Sequence, residues 1–197
     1  GVLSTKHILI FGTQEILRLA SQVKVKPVHY ISTLDVFHSS HYAQNEMLSE
    51  RDDFAGYTGP DGGYAQSKWV AEKLVMAAYE RGIPTTIYRP GMIIGHSQTG
   101  VSNTEDMVGR LIKGLIQLES SPKMNLQMNL TPVDYVSQSI VHLSRQQASW
   151  GQAFHLSNPH TLLLEQLAYY IQSLGYKLQP LPYEQWYQKL LGPGIDQ

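Results

Sequence analysis

Two short apolar runs bracket a long segment of helical periodicity, and this alternation restricts the fold of the chain more than any other feature. Residues 27–32 and 83–89 read as buried strands. Between them, residues 64–81 place Trp69, Val70, Leu74, Val75 and Ala78 at helical spacing and stop at Gly82. The pattern continues with a helix over 105–119, a short strand over 126–130, a helix over 133–145 and a strand over 153–156. A helix over 162–174 follows, then a short tail containing Trp186 and Leu190. Strands alternating with helices imply parallel pairing in a doubly wound sheet, whose ligands sit beyond the carboxyl ends of the strands. Polar, glycine-punctuated stretches over 38–63 and 95–104 supply the loops. Residues 7–21 imitate a first strand and a dinucleotide-binding turn. That fingerprint needs three spaced glycines, and only Gly12 is present. One amphipathic helix beginning near Thr5 is the expected structure there.

With 197 residues, the chain is long enough for one domain with its own core. It is 42% hydrophobic and 16% charged, with a formal net charge of -1, a balance that argues against a nucleic-acid or membrane-surface partner. The absence of cysteine excludes disulfides, thiolate metal sites and a cysteine nucleophile, and fits a cytoplasmic setting. No apolar run approaches the roughly 20 residues that span a bilayer. The N-terminus lacks the pattern of a signal peptide. It begins Gly1-Val2-Leu3 without methionine, as expected of a chain processed or cut from something larger.

Tyr64 and Lys68 stand four residues apart at the start of the long helical run, so they share one helix face. An ammonium beside a phenol favours the phenolate and lowers its pKa, which suits proton exchange with a carbonyl-derived oxygen. Thr33, just past the first strand, offers a hydroxyl able to donate to that same oxygen. Each feature has a plainer explanation. Four-residue spacing is what any solvated helix provides, and Ser or Thr after a strand is a common turn former.

The neighbouring residues decide between these readings. Tyr30-Ile31-Ser32-Thr33-Leu34-Asp35-Val36-Phe37, the segment from Gly63 to Lys73 and Tyr88-Arg89-Pro90-Gly91-Met92-Ile93-Ile94-Gly95 resemble the extended short-chain dehydrogenase/reductase superfamily. With the segment from Gly100 to Asp106 and Pro132-Val133-Asp134-Tyr135-Val136, the chain is more narrowly similar to terminal thioester reductase domains of nonribosomal peptide and polyketide synthetases. The helix around Gly12 to Ala20 resembles the one preceding the threonine-bearing strand.

The resemblance implies an α/β fold: a partial NAD(P)-binding Rossmann-like doubly wound parallel sheet with a small C-terminal substrate subdomain. Residues 1–197 would form one truncated reductase domain, with about 1–95 as the rest of the Rossmann core and about 96–197 as mixed core and substrate-binding part. It implies Thr33, Tyr64 and Lys68 as the catalytic triad, and Lys68 also as a donor to the nicotinamide ribose. Tyr64, Lys68, Pro90, Gly91, Met92 and Ile93 would contact the cofactor, NADPH with NADH not excluded. Ser97, Asn103 and Asp106 would face the substrate, while Asp134 caps or orients a helix start. The partner would be a phosphopantetheinylated carrier domain bearing an acyl or peptidyl thioester. Reduction gives an aldehyde, and a second hydride transfer gives the alcohol.

The family's glycine-rich turn and its NADP-discriminating residue match nothing in this chain. The expectation is therefore a C-terminal part of the domain, with residues 27–32 as an exposed sheet edge and weak or no cofactor affinity by itself. Two other readings stand beside this one: a non-catalytic remnant that at most docks a carrier domain, and an extended reductase or epimerase acting on a nucleotide sugar. No metal site is expected, because His38 and His41 lack acidic partners in register. Among Tyr57, Tyr64 and Trp69, the tryptophan is assigned to core. Tyr169, Tyr170, Trp186 and Tyr187 are assigned to core packing over a pantetheine groove, and residues 162–164 to helix core.

Overall fold

The computed structural model describes residues 7–38, 48–52, 54 and 58–192. The chain divides into two compact units: residues 1–91 with 135–157, and residues 92–134 with 158–197. In the first unit, a π-helical turn at His7–Phe11 runs into helix α1, Gly12–Ser21. The segment is thus helical rather than a strand and phosphate-binding turn, and the expected start near Thr5 lies outside the described residues.

Strand β1 spans Val28–Ile31, helix α2 Gly63–Glu80 and strand β2 Thr85–Pro90. β1 and β2 pair in parallel from Val28 against Thr85 to Ile31 against Tyr88, so α2 is the crossover that parallel neighbours need. β2 also pairs in parallel with β7, Ala153–Leu156, and every residue of β2 is buried, as befits the central strand of the three. β1 is an edge of this sheet among the described residues. A short 3-10 helix, Leu34–Phe37, follows β1, and helix α4 occupies Val133–Ser144. Val36, Phe37 and Phe54 form one apolar cluster with Trp69 packed against it, while Tyr88, Val136 and Leu156 form another.

In the second unit, β3 (Met92–Ile94) pairs in parallel with β6 (Leu130–Pro132), and helix α3 covers Met107–Gln117. The expected strand over 126–130 is in fact two. β5 (Gln127–Met128) breaks off to pair antiparallel with β8 (Leu162–Leu163), before β6 begins. Helix α5 therefore starts only at Leu164 and ends at Ser173, with the Gln166 side chain accepting from the Leu163 amide at 2.9 Å. The tail is structured: β9 (Gln179–Pro182) pairs with β4 (Ser120–Lys123) and leads into helix α6, Tyr183–Leu191. The core of this unit gathers Leu115, Met128, Leu164, Ile171 and Leu178, with Trp186 packed on it.

Tyr169, Tyr170 and Tyr187 are exposed, contrary to the expected core packing. For Tyr169 and Tyr170 the reason is helical geometry: Leu164, Leu167, Ala168 and Ile171 already occupy the buried stripe of α5. No described helix is long and apolar enough to cross a membrane.

Candidate active site

Lys68 ties α2 to the end of β1. Its Nζ donates to the Ile31 carbonyl oxygen at 2.7 Å and lies 5.1 Å from the Tyr30 ring centroid. Two residues on, Thr33 is buried, and its Oγ1 accepts from the Asp35 amide at 3.2 Å, capping the 3-10 helix. That contact uses an acceptor lone pair and leaves the hydroxyl proton for another partner. Tyr64, in the first turn of α2, is 51% exposed. Asp35, two residues after Thr33, acts electrostatically on the Tyr64 phenol. The strand end bearing Thr33 and the helix face bearing Tyr64 and Lys68 therefore meet at the carboxyl end of β1.

The expected electrostatics are reversed. Burial, then the Asp35 carboxylate, push the Tyr64 pKa above its ordinary value. Burial pulls the Lys68 ammonium down, opposed by Glu72. The reason is packing: Lys68 spends a donor on a backbone carbonyl, and desolvation disfavours both charged forms. Tyr64 therefore holds its proton at neutral pH, as an ordinary tyrosine does, and the upward shift makes it the weaker acid.

Sequence reasoning passed over the groups behind this pair. Glu72 is fully buried; its Oε2 accepts the Ser32 hydroxyl at 2.7 Å and its Oε1 accepts Arg89 Nε at 2.9 Å and Arg89 Nη2. Arg89 Nη1 lies 3.2 Å from His155 Nε2, and its guanidinium carbon 4.8 Å from the Phe37 ring centroid. The signal was present: Glu72 lies one turn beyond Lys68, and an arginine inside an apolar strand needs a buried anion.

Pro90 ends β2, and the Gly91 amide donates to the Leu156 carbonyl at 3.1 Å. Met92 and Ile93 open β3 in the second unit. Among the substrate candidates, Ser97 donates to Asp134 through its amide (2.9 Å) and hydroxyl (2.7 Å). Those bonds, with a smaller contribution from His96, hold the Asp134 carboxyl below its ordinary pKa. Asp134, in the first turn of α4, thus orients the 95–104 loop. Asp106 caps α3 by accepting from the Gly109 amide at 2.7 Å, and the Asn103 side chain accepts from the Glu105 amide at 3.1 Å. Ser97 and Asp106 line a 420 Å³ cleft with Ile94, Val108, Leu130 and Leu167, and Asn103 is not in its wall. Among the described residues no three histidine, cysteine or acidic side chains cluster to hold a metal; His41 and Tyr57 lie outside them.

The residues present fit a nicotinamide cofactor. Lys68 has two ammonium protons beyond the one given to Ile31, and it stands at the end of parallel strands where such cofactors sit. The fold is that of Rossmann-like NAD-binding domains of the extended short-chain dehydrogenase/reductase type. The chain belongs to the family of NAD-binding domains described as "Male sterility protein", whose model matches residues 4–140. It is 39% identical over 181 residues to a linear gramicidin synthase polypeptide of Brevibacillus parabrevis, covering 92% of this chain and 4% of that protein. It is 38% identical over 179 residues to glycine betaine reductase ATRR of Emericella nidulans, covering 89% of this chain and 14% of that protein. The terminal R domain from the myxalamid PKS-NRPS biosynthetic pathway superposes with a TM-score of 0.83 at 46% identity, over 89% of this chain and 44% of that one. The chain thus spans less than a fifth of these two relatives and less than half of that R domain.

Proposed function

We propose that this chain carries the proton-transfer residues of an NADPH-dependent reductase that converts a carrier-bound acyl or peptidyl thioester to an aldehyde. When bound, the nicotinamide supplies hydride to the thioester carbonyl carbon. Tyr64 gives its phenolic proton to the carbonyl oxygen, and Thr33 donates a hydrogen bond to the charge developing there. Lys68, anchored on Ile31, orients the ribose through its remaining donors. Pro90, Gly91, Met92 and Ile93 are assigned to the nicotinamide. Ser97 and Asp106, in the walls of an apolar-floored cleft, are assigned to the acyl side. The partner is a phosphopantetheinylated carrier domain, whose thiol leaves as the aldehyde forms.

The observation that carries this reading is the Lys68–Ile31 anchor, which sets the Tyr64 helix face against the strand end bearing Thr33. The kinship to synthetases and to a terminal R domain supports the thioester as substrate. The test supplies NADPH and an acyl-carrier thioester to the full-length polypeptide and follows aldehyde formation. Tyr64→Phe should remove nearly all reduction while carrier binding persists. Undiminished reduction in that variant overturns the assignment.

A further inference from the structure

We infer that Glu72 is the positioning group of this site: through one carboxylate it locks the backbone beside Thr33 to the helix face that bears Lys68 and Tyr64. The inference rests on the roles assigned above to those three residues.

The geometry is specific. Glu72 follows Lys68 by four residues and so lies one turn along the same face of α2. One carboxylate oxygen takes the hydroxyl of Ser32, the residue immediately before Thr33. The other takes the guanidinium of Arg89 on the central strand, which also approaches His155 on β7. Ser32, Glu72 and Arg89 are 3%, 0% and 1% exposed. The Ser32 amide donates to the Tyr88 carbonyl at 2.7 Å, so both ends of that residue are held. A buried ion pair needs hydrogen bonds to its remaining lone pairs, and here the group that meets Glu72 Oε2 is the hydroxyl of the residue beside Thr33. One carboxylate thereby ties the central strand, the helix face and the Thr33 backbone together.

The charge of Glu72 also matters. The ionisable groups gathered here are Lys68 and Tyr64 on α2, Tyr30 on β1, Asp35 after it, Arg89 on β2 and His155 on β7. Glu72 favours the charged form of Lys68 against its desolvation, so the neutral isostere Glu72→Gln should let the lysine lose its proton at lower pH. Ser32→Ala removes the tether to the Thr33 backbone without touching that charge.

Two measurements separate this role from simple scaffolding. In the chain labelled with 13C,15N-lysine, the Lys68 side-chain resonances, assigned with Lys68→Arg, give its titration midpoint without cofactor or turnover. Glu72→Gln should lower that midpoint and Ser32→Ala should leave it in place. In the full-length polypeptide, Ser32→Ala should reduce kcat roughly tenfold at unchanged KM, within the range that small misplacements cause, and Ser32→Thr should restore it. An unmoved Lys68 midpoint in a folded Glu72→Gln chain overturns the inference, as does an unchanged kcat in Ser32→Ala. Should Glu72→Gln fail to fold, the Ser32 pair decides alone. Full activity of Tyr64→Phe strikes the underlying assignment instead, and leaves the midpoint result standing.

Discussion

Lys68 Nζ donates to the Ile31 carbonyl oxygen across a 2.7 Å bond that joins the crossover helix to the end of β1. A lysine free to swing would lose rotamer entropy each time it met a ligand; this one is already placed. Lys68→Met should cost about 10²-fold or more in reduction, the scale of lost proton-transfer and positioning groups. Its melting temperature should stay close to the parent's, because the lysine is part-exposed. Steady-state kinetics and thermal melts check both halves.

His155 makes stability depend on pH. Burial, then the Arg89 charge, hold its pKa below the ordinary 6.5, against smaller opposing contributions from Glu50, Glu72 and Asp52. His29, half-buried beside Tyr88, is lowered by burial as well. The unfolded chain therefore binds protons more readily than the folded one over this range. The stabilisation is complete above pH 6.5 and is lost as pH falls through the folded values. Melting temperatures should drop as the pH falls below 6.5, and His155→Gln should flatten part of that slope.

Leu164 is 1% exposed in the core of the second unit, where β8 gives way to α5. Leu164→Ala should destabilise by about 2–5 kcal/mol through lost burial and the cavity left behind. Denaturant unfolding of the chain measures it.

Gly151 turns the chain into β7 at φ +76°, and its amide donates to the Thr85 carbonyl at 2.7 Å. A Cβ there would meet the Tyr79 ring. Gly151→Ala should cost roughly 1–3 kcal/mol from the left-handed backbone, with the ring contact in addition. Combining it with Tyr79→Ala should recover only the contact, which a double-mutant cycle resolves.

Asp134 holds the 95–104 loop through two bonds from Ser97. Asp134→Ala should raise KM for the acyl-carrier substrate several-fold while sparing the binding of NADPH. Isothermal titration of each ligand separates the effects.

Local signals in the chain were sufficient for β1, α2, β2, α3, α4 and β7, because periodicity, glycine stops and apolar runs are properties of neighbouring residues. They were sufficient too for the Tyr64–Lys68 spacing and for rejecting a phosphate loop around Gly12. They were silent on β4 and β9, where Ser120 meets Gln179 and Pro122 meets Leu181. Two proline-containing segments become strands only through each other. The tail helix and the solvent-facing Tyr169 and Tyr170 were likewise settled by what the core had room to bury.

The amino-acid sequence by itself pointed to Thr33, Tyr64 and Lys68, since a four-residue spacing on a helix and a hydroxyl after a strand are written locally. Only the tertiary structure decided their chemical state. It gave Lys68 a backbone carbonyl rather than the phenol as its partner, raised the Tyr64 pKa through burial, and closed the Ser32–Glu72–Arg89 network. Desolvation and buried ion pairing depend on which distant segments pack together, and no local pattern carries that information.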